Sequence, residues 1–303
     1  MIRTLRISDL LRLPAGLPGG EDLVCGEPGA PAVSLSALGI ARWVSAPRGR
    51  TEPVTATHGW RLGALAVLER RSGPSAWAIT HLFAAQRAHG ELTALLAGCV
   101  GRAAAQRAER LFLRAPEGGP LREQAVEAGF SPCWQERRLT SARPLTPWGA
   151  GAMGLRPQTS ADAMGLFRLY TAAVPSPARA SAGLTLDQWR DAQEHALAAG
   201  RSYVWEREGA VRGWVRLAQR GDRLVVEALA HPAEGQEALA HLADDVAHLA
   251  RGHRSALWLV PDHQRALEDV LARRGWAEES RCTVLAATTG IRVPLAGAVP
   301  AGA

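Results

Sequence analysis

The apolar pattern in the second half of the chain repeats the pattern in the first half. The repeated unit is an apolar triplet, an apolar residue ten positions after its start, a Gly followed by a large aromatic residue, and a Leu. It occupies 111–113, Leu121, Gly129-Phe130 and Leu139, and it recurs 146 positions later at 257–259, Leu267, Gly275-Trp276 and Leu285. A short strand, an amphipathic helix and a second strand produce this pattern. The sequence therefore predicts two homologous domains, each large enough to bury its own core.

Apolar periodicity predicts the remaining elements, with a period of two for half-buried strands and 3.6 for helices. In the first half we expect strands at 2–7, 60–70 and 76–85, a loop at 14–31, and helices at 34–44 and 90–108. In the second half we expect strands at 153–156, 202–207, 211–219, 223–230, 256–260 and from 276 onward, and helices at 162–173, 186–199, 234–250 and 263–273. This alternation predicts an α/β fold (α+β with a mixed sheet).

The domain boundaries are predicted from stretches rich in Pro, Gly and Ala. The segment 141–151 contains two prolines and ends in small residues, which is typical of a linker. We predict a first domain at 1–141 (the first half), a linker at 142–152, a second domain at 153–288 (the second half), and a flexible tail at 289–303.

The composition is that of an ordinary globular protein, with 47% hydrophobic and 21% charged residues in a chain of 303. All 35 basic residues are Arg, and the net charge is +6. The Arg residues are mixed with acidic ones, as at 69–71 and 206–208, and no basic run contains interleaved aromatic residues. We therefore expect a mixed, solvated surface and no nucleic-acid partner.

The cysteine pattern predicts neither a disulfide framework nor a metal site. Cys25, Cys99, Cys133 and Cys282 form no C-x-x-C pair, and none has a His at metal-ligand spacing. Cys99 falls on the apolar side of a helical pattern and is expected in the core. No apolar stretch is long enough to span a bilayer or to follow the first six residues as in a signal peptide. We expect a cytoplasmic protein without a membrane partner.

The order of elements and three short motifs resemble the GCN5-related N-acetyltransferase (GNAT) superfamily. The segment 229–232, Leu-Ala-His-Pro, precedes a helix and is similar to the family's V-x-P motif, while Gly129-Phe130 and Gly275-Trp276 are similar to its a-G-F motif. With the duplication, most of the chain resembles a tandem GNAT protein. The resemblance implies an acyl-CoA-dependent N-acetyltransferase that uses acetyl-CoA as co-substrate, acts on the amine of a small molecule or peptide, and needs no metal.

The resemblance also implies where acetyl-CoA binds. In this family two neighbouring parallel strands splay apart, and the pantetheine arm pairs with backbone groups in the wedge between them. The next helix begins at a Gly-containing loop whose free N–H groups hold the pyrophosphate. The cofactor-binding residues implied in the two halves are Phe83, Ala85, Arg87, His89, Gly90, Leu229, His231, Gly235 and Gln236.

The phosphate loops depart from the family pattern. The first half keeps Arg87 and Gly90, but Glu91 adds a charge that repels phosphate. The second half keeps only Gly235, and the acidic Glu234 precedes it. Simple helix starts explain the two glycines equally well.

Two residues are candidates for the general base. Glu227 lies on the predicted strand 223–230 where GNAT enzymes often carry one, and His81 lies at the matching place 146 positions earlier. An outward-facing polar residue on an alternating strand explains either residue as well. The family's general-acid Tyr is replaced by Ala125 and Leu271, and both tyrosines of the chain lie elsewhere.

Three functional classes therefore remain open. The first is an N-acyltransferase in which only one half is active, as a monomer or a homodimer. The second is a GNAT-like acyl-CoA-binding or scaffold protein without chemistry, which the missing Tyr and the altered loops favour. The third is a nucleic-acid binder, which only the basic net charge favours.

Two further groups of residues have a structural and a functional interpretation. Trp205 and Trp214 lie on paired strands and line either a substrate cleft or the core. Four residues on the predicted helix 234–250 could suggest a metal site by their types, namely His241, Asp244, Asp245 and His248. His241, Asp244 and His248 lie opposite the apolar side of this helix, so we expect a solvated face and not a metal site.

Overall fold

The computed structural model describes residues 2–5, 9, 22–26, 28, 43, 49–58, 61–84, 89–141 and 154–290. The predicted linker at 142–152 lies outside these residues, as do most of the predicted loop 14–31, helix 34–44 and tail 289–303. The domain boundaries therefore remain a prediction.

Twelve strands of the described residues join one mixed sheet. The strands are β1 (Ile2–Thr4), β2 (Thr51–His58), β3 (Arg61–Arg70), β4 (Ala76–Ala84), β5 (Arg110–Pro116), β6 (Ser131–Thr140), β7 (Arg156–Pro157), β8 (Arg201–Arg207), β9 (Ala210–Arg220), β10 (Arg223–Ala230), β11 (Ser255–Pro261) and β12 (Ala277–Thr288). The α-helices in the same residues are α1 (His89–Ala105), α2 (Leu121–Glu127), α3 (Ala163–Ala173), α4 (Ser176–Ala182), α5 (Leu186–Asp191), α6 (His195–Ala198), α7 (Gln236–Leu249) and α8 (Arg265–Arg273).

The elements with strong periodicity are confirmed. Strands β3 and β4, the meander β8 to β10, and the long helices α1 and α7 lie within one or two residues of their predicted bounds, except that α1 ends three residues early. Strand β2 is missing from the prediction, because Glu52 and Pro53 interrupt its apolar pattern. Glu52 is nevertheless buried, since the guanidinium of Arg102 on α1 pairs with its carboxylate.

The predicted helix 186–199 is wrong in detail, because it is broken into α5 and α6. Backbone carbonyls in the break at 192–194 accept hydrogen bonds from the first half of the chain. Arg71 donates from Nη1 to the carbonyl of Ala192 at 2.6 Å, and the N–H of Ser72 donates to the carbonyl of Gln193 at 2.9 Å. A continuous helix would have used these carbonyls internally.

The two halves exchange their last strands. The strand order is β1-β2-β3-β4-β5-β12-β6-β11-β10-β9-β8-β7. Strand β12, from the second half, pairs antiparallel with β5 from Cys282↔Pro116 to Thr288↔Arg110. Strand β6, from the first half, pairs antiparallel with β11. Strands β12 and β6 also pair with each other, and this pairing joins the two halves. The sheet is therefore continuous across both halves.

The exchange extends into the two hydrophobic cores. Leu285 and Ala287 on β12 are buried in the core built on α1, β4 and β5, which also contains the predicted core residue Cys99. Leu139 on β6 is buried in the core built on α7, β10 and α8. Each half therefore needs the other to complete its sheet and its core.

We predict that Leu285→Ala destabilises the first half, although Leu285 belongs to the second half in sequence. The side chain is 0% exposed, and a buried Leu→Ala change costs about 2–5 kcal/mol of unfolding free energy. Hydrogen exchange monitored by mass spectrometry should show earlier opening of β4 and β5. The control, Leu267→Ala on α8, should instead loosen α7 and β10. The same opening pattern in both variants would contradict this assignment.

Candidate active site

In the second half, two parallel strands separate beside Glu227. Strands β10 and β11 pair from Arg223↔Ser255 to Glu227↔Leu259, and no pairing follows. Pro261 lies two residues beyond Leu259 and has no N–H to donate, so the ladder cannot continue there. The strand ends 228–230 and 260–261 form a wedge whose apex is Glu227.

The first half contains a similar wedge. Strands β4 and β5 pair in parallel from Ala76↔Arg110 to Ile79↔Leu113, and then they separate. Strand β4 carries a bulge here, because Ile79 pairs with Leu68 on β3 while His81 pairs with the adjacent Val67. A bulge adds a residue to one strand and bends it, which turns β4 away from β5.

The strand register changes the equivalence between the two candidate bases. Leu113 and Leu259 are 146 positions apart, and they pair with Ile79 and Glu227, respectively. By strand register, Ile79 and not His81 is equivalent to Glu227. The uniform spacing of 146 fails here because the chain from Ile79 to Leu113 is two residues longer than the chain from Glu227 to Leu259, and the bulge in β4 accounts for one of the two.

Both wedges are occupied by groups of the chain itself. In the second half, the N–H of Ala230 donates to Gln264 Oε1 at 3.1 Å, and Gln264 Nε2 donates to the carbonyl of Ala230 at 3.3 Å. In the first half, the N–H of Leu82 donates to Asp22 Oδ1 at 2.9 Å, and the N–H of Leu23 donates to the carbonyl of Leu82 at 2.8 Å. Ala230 and Leu82 each lie three residues beyond the last paired position.

The segment that bonds to β4 in the first-half wedge also bonds to β5 on the opposite side of the wedge. The N–H of Cys25 donates to the carbonyl of Arg114 on β5 at 3.0 Å. Residues 22–25 therefore bridge β4 and β5 by backbone bonds. In the second half, the corresponding obstacle is a single side-chain amide, that of Gln264.

His81 is held by the same segment. Its Nδ1 lies 2.6 Å from Asp22 Oδ2, and its ring lies 5.1 Å from Trp43 and 6.2 Å from Phe83, centroid to centroid. Phe83 is fully buried. These contacts place His81 in a packed cluster beside the filled wedge, and its role as a base stays a prediction.

The first-half phosphate loop falls largely outside the described residues. Residues 85–88, which include the predicted Ala85 and Arg87, are not described, and neither is the side chain of His89. Gly90 is exposed in the first turn of α1, with open space where a side chain would lie. The carboxylate of Glu91 lies against Gly63 on β3.

In the second-half loop, two Arg side chains neutralise the acidic residue that would repel phosphate. The buried carboxylate of Glu234 pairs with Arg207 at 3.0 Å and approaches Arg212 at 3.9 Å. The two guanidiniums therefore more than balance its charge at the start of α7. Gly235 caps this helix, with open space around it.

The other predicted cofactor residues of this loop are also hydrogen-bonded within the chain. His231 donates its N–H to the carbonyl of Arg212 at 2.8 Å, and its Nδ1 accepts from the N–H of Ala233. Gln236, the first residue of α7, accepts at Oε1 from Arg273 at 3.0 Å.

A cavity of about 160 Å³ lies beside the second-half wedge, between the two halves. Leu229 and Leu259 form the edge that it shares with the wedge. Its other walls include five aromatic rings, those of Phe112, Trp134, Tyr170, Trp189 and Trp214. Trp214 thus lies in a cleft, whereas Trp205 packs in the interior beside Gly213.

Glu227 reaches this cavity together with Arg216 on the neighbouring strand β9. The Nε of Arg216 donates to Glu227 Oε2 at 2.8 Å, and the guanidinium lies 5.0 Å from the ring centroid of Trp214. Burial raises the pKa of Glu227 more than Arg216 lowers it, and the nearby carboxylate of Glu194 raises it further. A carboxylate with a raised pKa is a better proton acceptor near neutral pH.

A second group of charges joins the two halves at the same cavity. Arg114 on β5 donates from Nε and Nη2 to the two oxygens of Glu136 on β6, both at 3.0 Å. Its Nη2 also pairs with Glu194, from the break between α5 and α6. Burial raises the pKa of Glu194, but Arg114 and Arg71 lower it more, to about 2. Glu194 therefore stays ionised and links the halves.

Sequence reasoning misses most of these charged residues. Arg71, Glu136 and Glu194 come from distant segments, and no local motif connects them. Tyr170 also lines the cavity, although the motif positions for the acid hold the buried Ala125 and Leu271. Its hydroxyl donates to the carbonyl of Gly183 at 3.0 Å, and burial raises its pKa to about 12.

The predicted solvated face of α7 is wrong for Asp244. Asp244 and Asp245 are 6% and 7% exposed, and Asp244 accepts from Arg274 at 2.8 Å. Arg274 follows α8, which packs on α7 and covers this face. No group of three or more His, Cys, Asp or Glu in the described part of the chain is arranged to hold a metal ion.

No known family model matches the sequence, and no curated protein matches it. Solved structures do match. A GCN5-related N-acetyltransferase from Sphaerobacter thermophilus is 15% identical, with 97% of each chain covered and a TM-score of 0.54. A tandem GNAT protein from the clavulanic acid biosynthesis pathway is 15% identical, with 97% of this chain and 99% of that chain covered and a TM-score of 0.51.

The chain has the tandem GNAT fold. The likeness extends over nearly the whole length, so the duplication predicted from the sequence corresponds to two GNAT units. The splayed strand pairs β4–β5 and β10–β11 are the wedges that the resemblance implies. Among the described residues, no helix has both the length and the apolar character to cross a bilayer.

We predict that Glu194→Gln lowers the free energy of unfolding at pH 7 and makes that free energy fall less as the pH is lowered. The pKa of Glu194 is lowered from 4.5 to about 2, so its ion pairs stabilise the fold above pH 4.5 and lose this effect as the pH falls toward 2. That shift corresponds to about 3 kcal/mol. Urea unfolding between pH 7 and pH 2 measures the difference.

The matched control for this prediction is Glu237→Gln, because the side chain of Glu237 is 93% exposed. This variant should follow the wild-type profile at every pH. A Glu194→Gln profile parallel to the wild type throughout the acid range would contradict the assigned ionisation.

Proposed function

We propose that this protein is an acyl-CoA-dependent N-acyltransferase whose second half is the active one. The observation that carries the proposal is the position of Glu227, whose carboxylate lies at the apex of the β10–β11 wedge and on the wall of the central cavity. A thioester reaching through the wedge and an amine in the cavity would meet beside this carboxylate.

The second-half residues fit an acyl-CoA. The start of α7 offers free backbone N–H groups for phosphate, Gly235 leaves space there, and Arg207 and Arg212 supply positive charge. The coenzyme supplies an activated acyl group. Pairing of its pantetheine arm with Ala230 requires that Gln264 release the backbone N–H and carbonyl that it now holds.

Glu227 would act as the general base. The amine nitrogen forms a bond with the thioester carbonyl carbon, its proton passes to the carboxylate of Glu227, and the C–S bond breaks to release the thiolate. No tyrosine hydroxyl lies at the motif position of Leu271, and a thiolate is a fair leaving group near neutral pH. Arg216 orients the carboxylate and favours its ionised form, because its positive charge lowers the pKa of Glu227.

The first half would support this site without chemistry of its own. Its wedge is bridged by residues 22–25, and its register equivalent of Glu227 is the apolar Ile79. It provides one wall of the cavity through Phe112 and Arg114.

A second candidate is a GNAT-like protein that has lost chemistry, and the filled wedges favour it. Both Leu82 and Ala230 have their backbone groups bonded within the chain. An acyl-CoA-binding form of this candidate differs from the enzyme only in the absence of turnover, whereas in a scaffold form acetyl-CoA cannot displace Gln264.

Native mass spectrometry with acetyl-CoA tests the difference. We expect one acetyl-CoA per chain, bound more tightly by Gln264→Ala because the competing amide is removed. The control, Gln219→Ala on β9, lies outside the wedge and should bind as the wild type does. No bound acetyl-CoA in either wild type or Gln264→Ala would favour the scaffold form, and one bound acetyl-CoA without turnover on any amine would favour the acyl-CoA-binding form. Two per chain would contradict the inactive first half.

We predict that Glu227→Gln lowers kcat roughly 10²–10⁴-fold while acetyl-CoA binding is unchanged, because it removes only the proton acceptor. Thiol release from acetyl-CoA with a panel of amines measures the rate. The acidic limb of the pH–rate profile should also disappear, since it reports protonation of Glu227. Glu206→Gln, on the exposed side of β8, is the control; an equal loss of rate in both variants would contradict the role of Glu227.

A further inference from the structure

The central cavity belongs to neither half alone. The first half contributes Arg71, which follows β3, and Phe112 and Arg114 from β5. The second half contributes Trp214 and Glu227 from its meander. A cavity of about this volume holds one ligand of the size of a benzene ring, so a small molecule and not a folded protein surface fits it.

The ion pairs at the cavity leave Arg71 with the weakest anionic partner. Arg114 binds both oxygens of Glu136, and Arg216 binds Glu227. The Nη2 of Arg71 lies 3.7 Å from Glu194 Oε1, and the same oxygen already pairs with Arg114. Arg71 therefore shares a carboxylate that is held more closely by another guanidinium.

The remaining donors of Arg71 point to an incomplete set of contacts. Its Nη1 donates to the carbonyl of Ala192, but its Nε has no hydrogen-bond partner among the described residues. Arg71 is 8% exposed, and its guanidinium carbon lies over Phe112, 4.1 Å from the ring centroid. The donor that faces a ligand is Nη2, whose carboxylate neighbour lies 3.7 Å away, and an anionic ligand would supply the close partner that this guanidinium lacks.

We propose that the cavity binds a small amino acid, with its carboxylate on Arg71 and its amine beside Glu227. The aromatic walls suit an apolar side chain, and the two charged ends match the two charges of the ligand. The placement of the amine rests on the proposed function. The placement of the carboxylate rests only on Arg71 and on the distribution of ion pairs around it.

Calorimetric titration of the full-length protein tests the proposal with matched ligands. The ligands are glycine, β-alanine, L-valine, L-leucine and L-phenylalanine, each compared with its decarboxylated amine and with its carboxamide. We expect at least one amino acid to bind tenfold or more tightly than both of its analogues, because only the free acid carries the carboxylate. Equal binding of acid and amine, or no binding by any amino acid, would overturn the proposal.

A variant locates the contact. Arg71→Met keeps much of the side-chain volume over Phe112. This variant should bind the amino acid and its two analogues with about equal affinity. Arg190→Met on α5 is the control, because this Arg is half exposed and its nearest acidic atom lies 3.9 Å away. A preference unchanged in a folded Arg71→Met protein would overturn the assignment, and the wild-type ligand comparison decides the proposal even if that variant does not fold.

The two proposals fail in different ways. Amino-acid binding without any acyl transfer would remove the proposed enzyme and leave the carboxylate site intact. Acyl transfer to amines irrespective of a carboxylate would leave the enzyme intact and remove the site.

Discussion

The exchange of the last strands is the constraint on which the rest of the structure depends. Strand β12 completes the sheet of the first half, and β6 completes that of the second half. Leu285 and Leu139 are each buried in the core of the opposite half. Because the sheet is continuous, β5 and β6 bring Phe112 and Glu136 to a cavity whose other wall carries Glu227. A site built this way cannot form in an isolated half.

The charges at the junction orient the helices of the second half. Glu194 binds Arg114, and the neighbouring carbonyl of Ala192 accepts from Arg71, so the break between α5 and α6 is fixed against β5. Breaking one member of such a buried group costs several kcal/mol because it leaves a charge without a partner. The same ion pairs form part of the cavity wall, which connects the geometry of the site to the stability of the junction.

The two wedges have the same origin but different obstacles. In each, the parallel ladder stops at a Leu, Leu113 on β5 and Leu259 on β11. Pro261 follows this point in the second half, and a bulge in β4 follows it in the first. Residues 22–25 bind both strands of the first-half wedge, whereas only the side-chain amide of Gln264 occupies the second. Moving one side chain requires less reorganisation than withdrawing a bonded segment, which is why we propose the second half as the active one.

The sequence by itself determined the duplication, the strongly periodic helices and strands, and the position of Glu227 on β10, because these depend on local apolar patterns. It could not show which sheet edge β6 and β12 join, since two similar apolar strands fit either edge. It placed His81 at the position equivalent to Glu227, because the two residues added between Ile79 and Leu113, one of them in the β4 bulge, leave the apolar pattern unchanged. Only the tertiary structure brought Arg71, Glu194 and Gln264 to the site: their roles arise from contacts between distant segments, and no local spacing encodes those contacts.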